Sequence, residues 1–115
     1  MQKAYRLKQN ASFSYIYKKG QKQAGKYMLL YYVPAYNNKV GVSINKKVGK
    51  AVFRNLTKRR IYYAFAKFIP MLNQTHNYVV VVSKTINEAT YQEIEAEIRG
   101  LLEKLGHLSE GASDA

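Results

Sequence analysis

No aspartate or glutamate precedes Glu88: residues 1–84 hold 17 of the 19 lysines and arginines, and all seven acids follow them. A charge field of one sign over most of a domain repels itself and lowers stability, so a polyanionic partner that neutralises it is implied. Nucleic acid is the first candidate. An ordinary surface interleaves both signs. An anionic membrane would call for a basic amphipathic helix with bulky apolar residues towards lipid, which no segment supplies cleanly.

A chain of 115 residues, 47% of them hydrophobic, can bury one core and asks for no second domain. The expected division is one RNA-binding domain over residues 1–106 and a disordered, acidic tail over 107–115. The absence of cysteine removes disulfides and thiolate metal sites. Charges at Lys3, Arg6 and Lys8 stand where a signal peptide would be apolar, and the longest uncharged, largely apolar run, Tyr27 to Tyr36, is too short to span a bilayer. A cytoplasmic protein without a membrane partner is expected.

Asn10 or Ser12 can cap a first helix that carries Phe13, Ile16 and Tyr17 on one face and ends near Lys19, with Gly20 as a left-handed terminator. Residues 21–26 are polar and contain glycine, which predicts a connector. Tyr27 to Val33 reads as a strand with Tyr27, Leu29, Tyr31 and Val33 on one face and Met28, Leu30 and Tyr32 on the other. Pro34 ends it, Asn37-Asn38 suits a tight hairpin turn, and Val40 to Ile44 forms the second strand. Helical spacing of Val52, Leu56, Ala64, Phe65 and Phe68 predicts a helix over 48–69, stopped by Pro70. The β-branched run Tyr78 to Val82 reads as a strand buried on both faces. Thr90 with Glu93 makes a capping box, and Tyr91, Ile94, Ile98, Leu101, Leu102 and Leu105 make an amphipathic helix up to Gly106. The order helix, strand, strand, helix, strand, helix is an α+β fold with helices on a small mixed sheet, the strands flanking the long helix being parallel.

Metal-dependent nuclease chemistry needs carboxylates, and the first 84 residues have none. Glu93, Glu97 and Glu103 lie off the apolar stripe of the last helix and read as a solvated face. His76 and His107 have no serine or carboxylate at an informative spacing, so no catalytic residue is expected. No two glycines are three apart, which removes the clamp of the KH domain. What remains is a basic helix. Lys50, Arg54 and Lys58 recur every fourth residue, Asn55 and Arg59 form a neighbouring pair, and Lys46, Lys47 and Arg60 flank them. Such a stripe tracks a phosphate backbone, with arginine available for bidentate contacts and asparagine for base edges or ribose hydroxyls.

The stretch Val40-Gly41-Val42-Ser43, then Lys46 to Val52, Arg54-Asn55 and Lys58-Arg59, resembles the signature of the bacterial ribonuclease P protein subunit. Arg6-Leu7-Lys8, Phe13, Tyr17, Lys18 and Gly20 resemble the opening helix of that family, so the likeness spans roughly residues 5–84. Leu56 stands where the signature has its second arginine, and Arg60 to Tyr63 lacks the usual Arg/Glu pattern. The resemblance implies a fold shared with a domain of a small-subunit ribosomal protein, including a left-handed crossover, against the usual right-handed preference. It implies a catalytic RNA subunit and precursor tRNA as partners, with removal of the 5′ leader as the activity and no protein oligomer required. It further implies magnesium held mainly by the RNA, which performs the hydrolysis. Lys46, Lys47, Lys50, Arg54, Asn55, Lys58, Arg59 and Arg60 would bind the catalytic RNA. Phe13, Tyr17 and Tyr31 would stack an unpaired leader, as exposed aromatics do for single strands. Without the resemblance, the aromatic area would favour a core role for Phe13 and the strand tyrosines. A ribosomal or general RNA-binding chaperone is the alternative function.

Overall fold

The computed structural model describes residues 5–7 and 10–109. Helix α1 (Asn10–Lys19) is followed by β1 (Gln21–Ala24), β2 (Met28–Pro34), β3 (Lys39–Ser43), α2 (Ala51–Ala66), β4 (His76–Val82) and α3 (Tyr91–Leu105). The four strands form one sheet in the order β1-β2-β4-β3, with β3 and β4 parallel and the other pairs antiparallel. The α+β expectation holds, as does the parallel pairing across α2. Among the described residues no helix is long and apolar enough to cross a membrane.

Strand β4 is central because both of its faces are apolar: Tyr78, Val79 and Val80 are completely buried. Tyr78, Val80 and Val82 join Leu30 and Val42 under α2 and α3, against Ile61, Phe65, Ile94, Ile98 and Leu102. Val79 and Val81 face the other way and pack with Val33, Leu7, Ile16, Phe13 and Tyr31 beneath α1. Three layers result, α1 on one side of the sheet and α2 with α3 on the other.

Several local expectations change. The polar connector contains edge strand β1, whose exposed side chains carry no apolar signal while its backbone pairs Gln21–Ala24 with Leu29–Tyr32. Strands β2 and β3 are not a hairpin, because doubly buried β4 inserts between them. Neither Asn37 nor Asn38 has a positive φ, and the Asn38 side chain instead accepts the His76 backbone N–H at 2.8 Å. Gly20 is not left-handed either. It is required because a Cβ would run into the Ile16 and Tyr32 carbonyl oxygens. The cap expected of Asn10 or Ser12 lies outside the described side chains. Tyr27 leaves the Leu29–Tyr31–Val33 face for the α2–α3 core.

Helix α2 is shorter than 48–69: Lys46–Val48 and Ile69–Met71, the latter holding Pro70, are separate 3-10 turns. Its buried stripe is Thr57, Ile61, Ala64, Phe65 and then Phe68 just beyond its end. Leu56 is one residue, about 100° of rotation, out of phase with Thr57, and Leu56 and Val52 are exposed. Helix α3 follows the sequence reading closely. Thr90 and Glu93 make both bonds of the capping box, and Gly106 ends the helix at φ 72°. The expected disordered tail starts too early at 107. His107 is buried, Leu108 bridges to Leu72, and the Ser109 N–H reaches the Met71 carbonyl at 2.7 Å; residues 110–115 lie outside those described.

Candidate nucleic-acid interface

Helix α1 lies across the sheet closely enough for the Phe13 ring to sit on Gly41, where a Cβ would stand 2.7 Å from Phe13 Cε1. Phe13 is therefore half-buried rather than fully displayed. One turn on, Tyr17 is 40% exposed and meets Tyr31 edge-to-face, with centroids 5.0 Å apart and planes at 77°. The three expected aromatics thus form one patch, with Phe13 and Tyr31 serving the small core at the same time.

A cleft of about 550 Å³ opens beside this patch, where α1, β3 and α2 meet. Its walls include Phe13, Ser43, Lys58, Tyr62 and Arg6. An aromatic from one expected set and a cation from the other therefore share a wall. The Arg6 guanidinium lies 4.7 Å over the Tyr62 ring, and its Nε is buried without a partner among the described residues. Burial raises the Tyr62 hydroxyl above its ordinary range, so it stays protonated. Arg6, Ser43 and Tyr62 were absent from the expected site residues. Tyr62 follows Lys58 by one helical turn, which was the available signal.

Of the basic set, Lys46, Lys47, Lys50, Asn55, Lys58, Arg59 and Arg60 are exposed. Arg54 is half-buried, its Nε donating to the Gly49 carbonyl at 3.1 Å, so part of its guanidinium serves the start of α2. Among the described residues the one ion pair is Lys67–Glu95 at 3.3 Å, and none of the expected RNA-binding cations pairs with a described carboxylate.

The acidic helix face is not merely solvated. Glu97 accepts the backbone N–H groups of Lys26 at 2.5 Å and Tyr27 at 2.8 Å, and Glu93 accepts the Tyr27 hydroxyl at 2.9 Å. Hydrogen bonds from the Thr90 backbone and from Tyr27 hold the Glu93 carboxyl below its usual range. These carboxylates fasten α3 to the β1–β2 turn. Among the described residues no three His, Asp or Glu side chains gather to hold a metal ion.

The two histidines, read separately from sequence, are brought together. Their rings stack at 4.1 Å and 17°, and the Tyr78 hydroxyl lies 2.8 Å from His107 Nδ1. Burial pushes the Tyr78 hydroxyl far up, so it keeps its proton. Among the described residues no carboxylate or nucleophile joins them, and the arrangement closes the core beside the 106–109 segment.

The sequence model of the Ribonuclease P family matches residues 1–106. The "Ribonuclease P protein component" of Bacillus pumilus is 35% identical over 107 residues, 90% of each chain. That of Clostridium kluyveri is 37% identical over 106 residues, 89% of this chain and 95% of the relative. The solved ribonuclease P protein of Staphylococcus aureus superposes with a TM-score of 0.84 at 29% identity, covering 93% of this chain and all of that one. The Thermotoga maritima protein shares the fold at 22% identity, with a TM-score of 0.79 over 86% of this chain and 96% of that one. With an acid-free basic helix beside an aromatic patch, and with these likenesses across nearly its whole described length, the chain belongs to the ribonuclease P protein family.

Proposed function

We propose that the protein is the cytoplasmic protein subunit of ribonuclease P. It binds the catalytic RNA through the exposed cations of Lys46–Arg60 and the unpaired 5′ leader of precursor tRNA through Phe13, Tyr17 and Tyr31. Leader cleavage is then the work of the RNA and the magnesium it holds, the protein supplying phosphate neutralisation and a stacking surface. The observation that carries this reading is the shared cleft, in which Phe13 and Lys58 face one space. A base stacked on the α1 side leaves its phosphates within the field of the α2 side, an arrangement suited to a single strand.

The test is a pair of dissociation constants, for precursor and mature tRNA, measured with the reconstituted holoenzyme. Tyr17 is the informative position because it is more exposed than Phe13. Tyr17→Ala should weaken precursor binding by about 1 to 3 kcal/mol, leave mature tRNA nearly unchanged, and be restored by Tyr17→Phe. Equal losses for both RNAs would favour a general RNA-binding protein and refute leader recognition at this patch.

A further inference from the structure

The outer face of α2 carries an apolar strip that the described fold leaves exposed: Val52, Leu56 and Tyr63 are 83%, 41% and 65% exposed. They follow one another at four- and seven-residue intervals, so they lie along one side of the helix. Arg59 and Arg60, one turn before Tyr63, are both exposed, and α2 contains no acid. The Tyr63 ring is propped rather than loose. Its centroid is 6.3 Å from that of Tyr91, at 59°, and the Tyr91 ring lies 5.4 Å below the Lys67 ammonium. Lys67 is itself paired with Glu95 at 3.3 Å, so the aromatic surface on the layer opposite α1 is flanked by the exposed Arg59 and Arg60.

We propose that Tyr63, with Arg59 and Arg60, binds an unpaired nucleotide of the catalytic RNA, the base stacking on the tyrosine and its phosphates meeting the arginines. Charge decides the occupant. A second copy docking here would set Arg59 and Arg60 against their own counterparts, whereas RNA supplies both an apolar base face and the opposite charge. The inference rests on the catalytic RNA being the partner, and it adds a stacking contact to a face otherwise read as charge and hydrogen-bond contacts.

The experiment uses the full chain and the catalytic RNA. Tyr63→Ala should weaken binding by about 5- to 150-fold, the equivalent of about 1 to 3 kcal/mol per stacked base. Tyr63→Leu, which keeps an apolar contact with Tyr91, should lose affinity too, and Tyr63→Phe should retain it. The salt dependence should stay as in wild type for the Tyr63 variants but flatten by about 0.7 to 0.9 for Arg59→Ala. The preference for precursor over mature tRNA should not move. Wild-type affinity in both Tyr63→Ala and Tyr63→Leu, with unchanged melting, would overturn the inference alone. So would concentration-dependent dimerisation of wild type that Tyr63→Ala abolishes, which would give the face to a second copy. Failure of the wild type itself to bind the RNA would remove the proposed function and this inference together.

Discussion

Acid should unfasten this protein through its histidine pair before it reaches the carboxylates. His107 is buried, and burial, reinforced by the stacked His76, brings its pKa to about 4 from an ordinary 6.5. Burial lowers His76 in the same direction. The folded state therefore takes up protons on these rings less readily than the unfolded chain does as the pH drops below about 6.5, so unfolding becomes easier. Their contribution is complete above 6.5 and is lost progressively towards the folded value. Between 6.5 and about 4 the His107 loss approaches about 3 kcal/mol, at about 1.4 kcal/mol per pH unit. At pH 5 it has reached about 2 kcal/mol, with His76 adding to it. Glu93, held below its usual range, acts only at still lower pH. The segment most directly exposed to this loss is 106–109. Its ties are the Asn73 N–H to the His107 carbonyl at 2.9 Å, the Asn73 side chain to the Gly106 carbonyl at 2.8 Å, and the Ser109 N–H to Met71. The assay is urea unfolding from pH 7.5 to 5.0 for wild type and His107→Gln, with hydrogen exchange at the Asn73 and Ser109 amides. Wild type should lose stability steeply over that window and the variant, which cannot titrate at 107, much less. Parallel curves, or a wild-type stability that is flat from 7 to 5, would refute the reasoning.

Three further outcomes are expected. Affinity for RNA should fall steeply with salt, and replacing Lys58 and Arg59 by alanine should flatten the log-log slope by about 0.7 to 0.9 each; an unchanged slope would take these cations off the interface. Gly41→Ala should cost about 1 to 3 kcal/mol in a melt and displace the Phe13 ring, because the new methyl meets that ring and lies 3.2 Å from Leu7 Cβ. A melt like wild type would mean that Phe13 has room to yield. Glu97→Ala removes the acceptor of two backbone N–H groups and should destabilise by about 1 to 3 kcal/mol, read by urea unfolding, while leaving RNA affinity per folded molecule unchanged.

Features legible in the sequence are those whose cause is local. The Thr90–Glu93 capping box, the stripe of α3 and its end at Gly106 follow from neighbours within a few turns. The Tyr78–Val82 run announces a strand buried on both faces because nothing polar interrupts it. The acid-free stretch likewise states the sign of the partner without any fold at all. Other features depend on partners far along the chain. Strand β1 exists because β2 offers it a backbone edge, and the separation of β2 from β3 follows from where doubly apolar β4 can hide both faces. Phe13 meets Gly41 only once α1 crosses the sheet. Tyr27 finds Glu97 at a separation of 70 residues, and Tyr78 finds His107 at 29. Periodicity and capping act over a turn or two, so they specify elements. Which elements become neighbours is decided by how all the apolar faces can be buried at once, a condition on the whole chain that no local window contains.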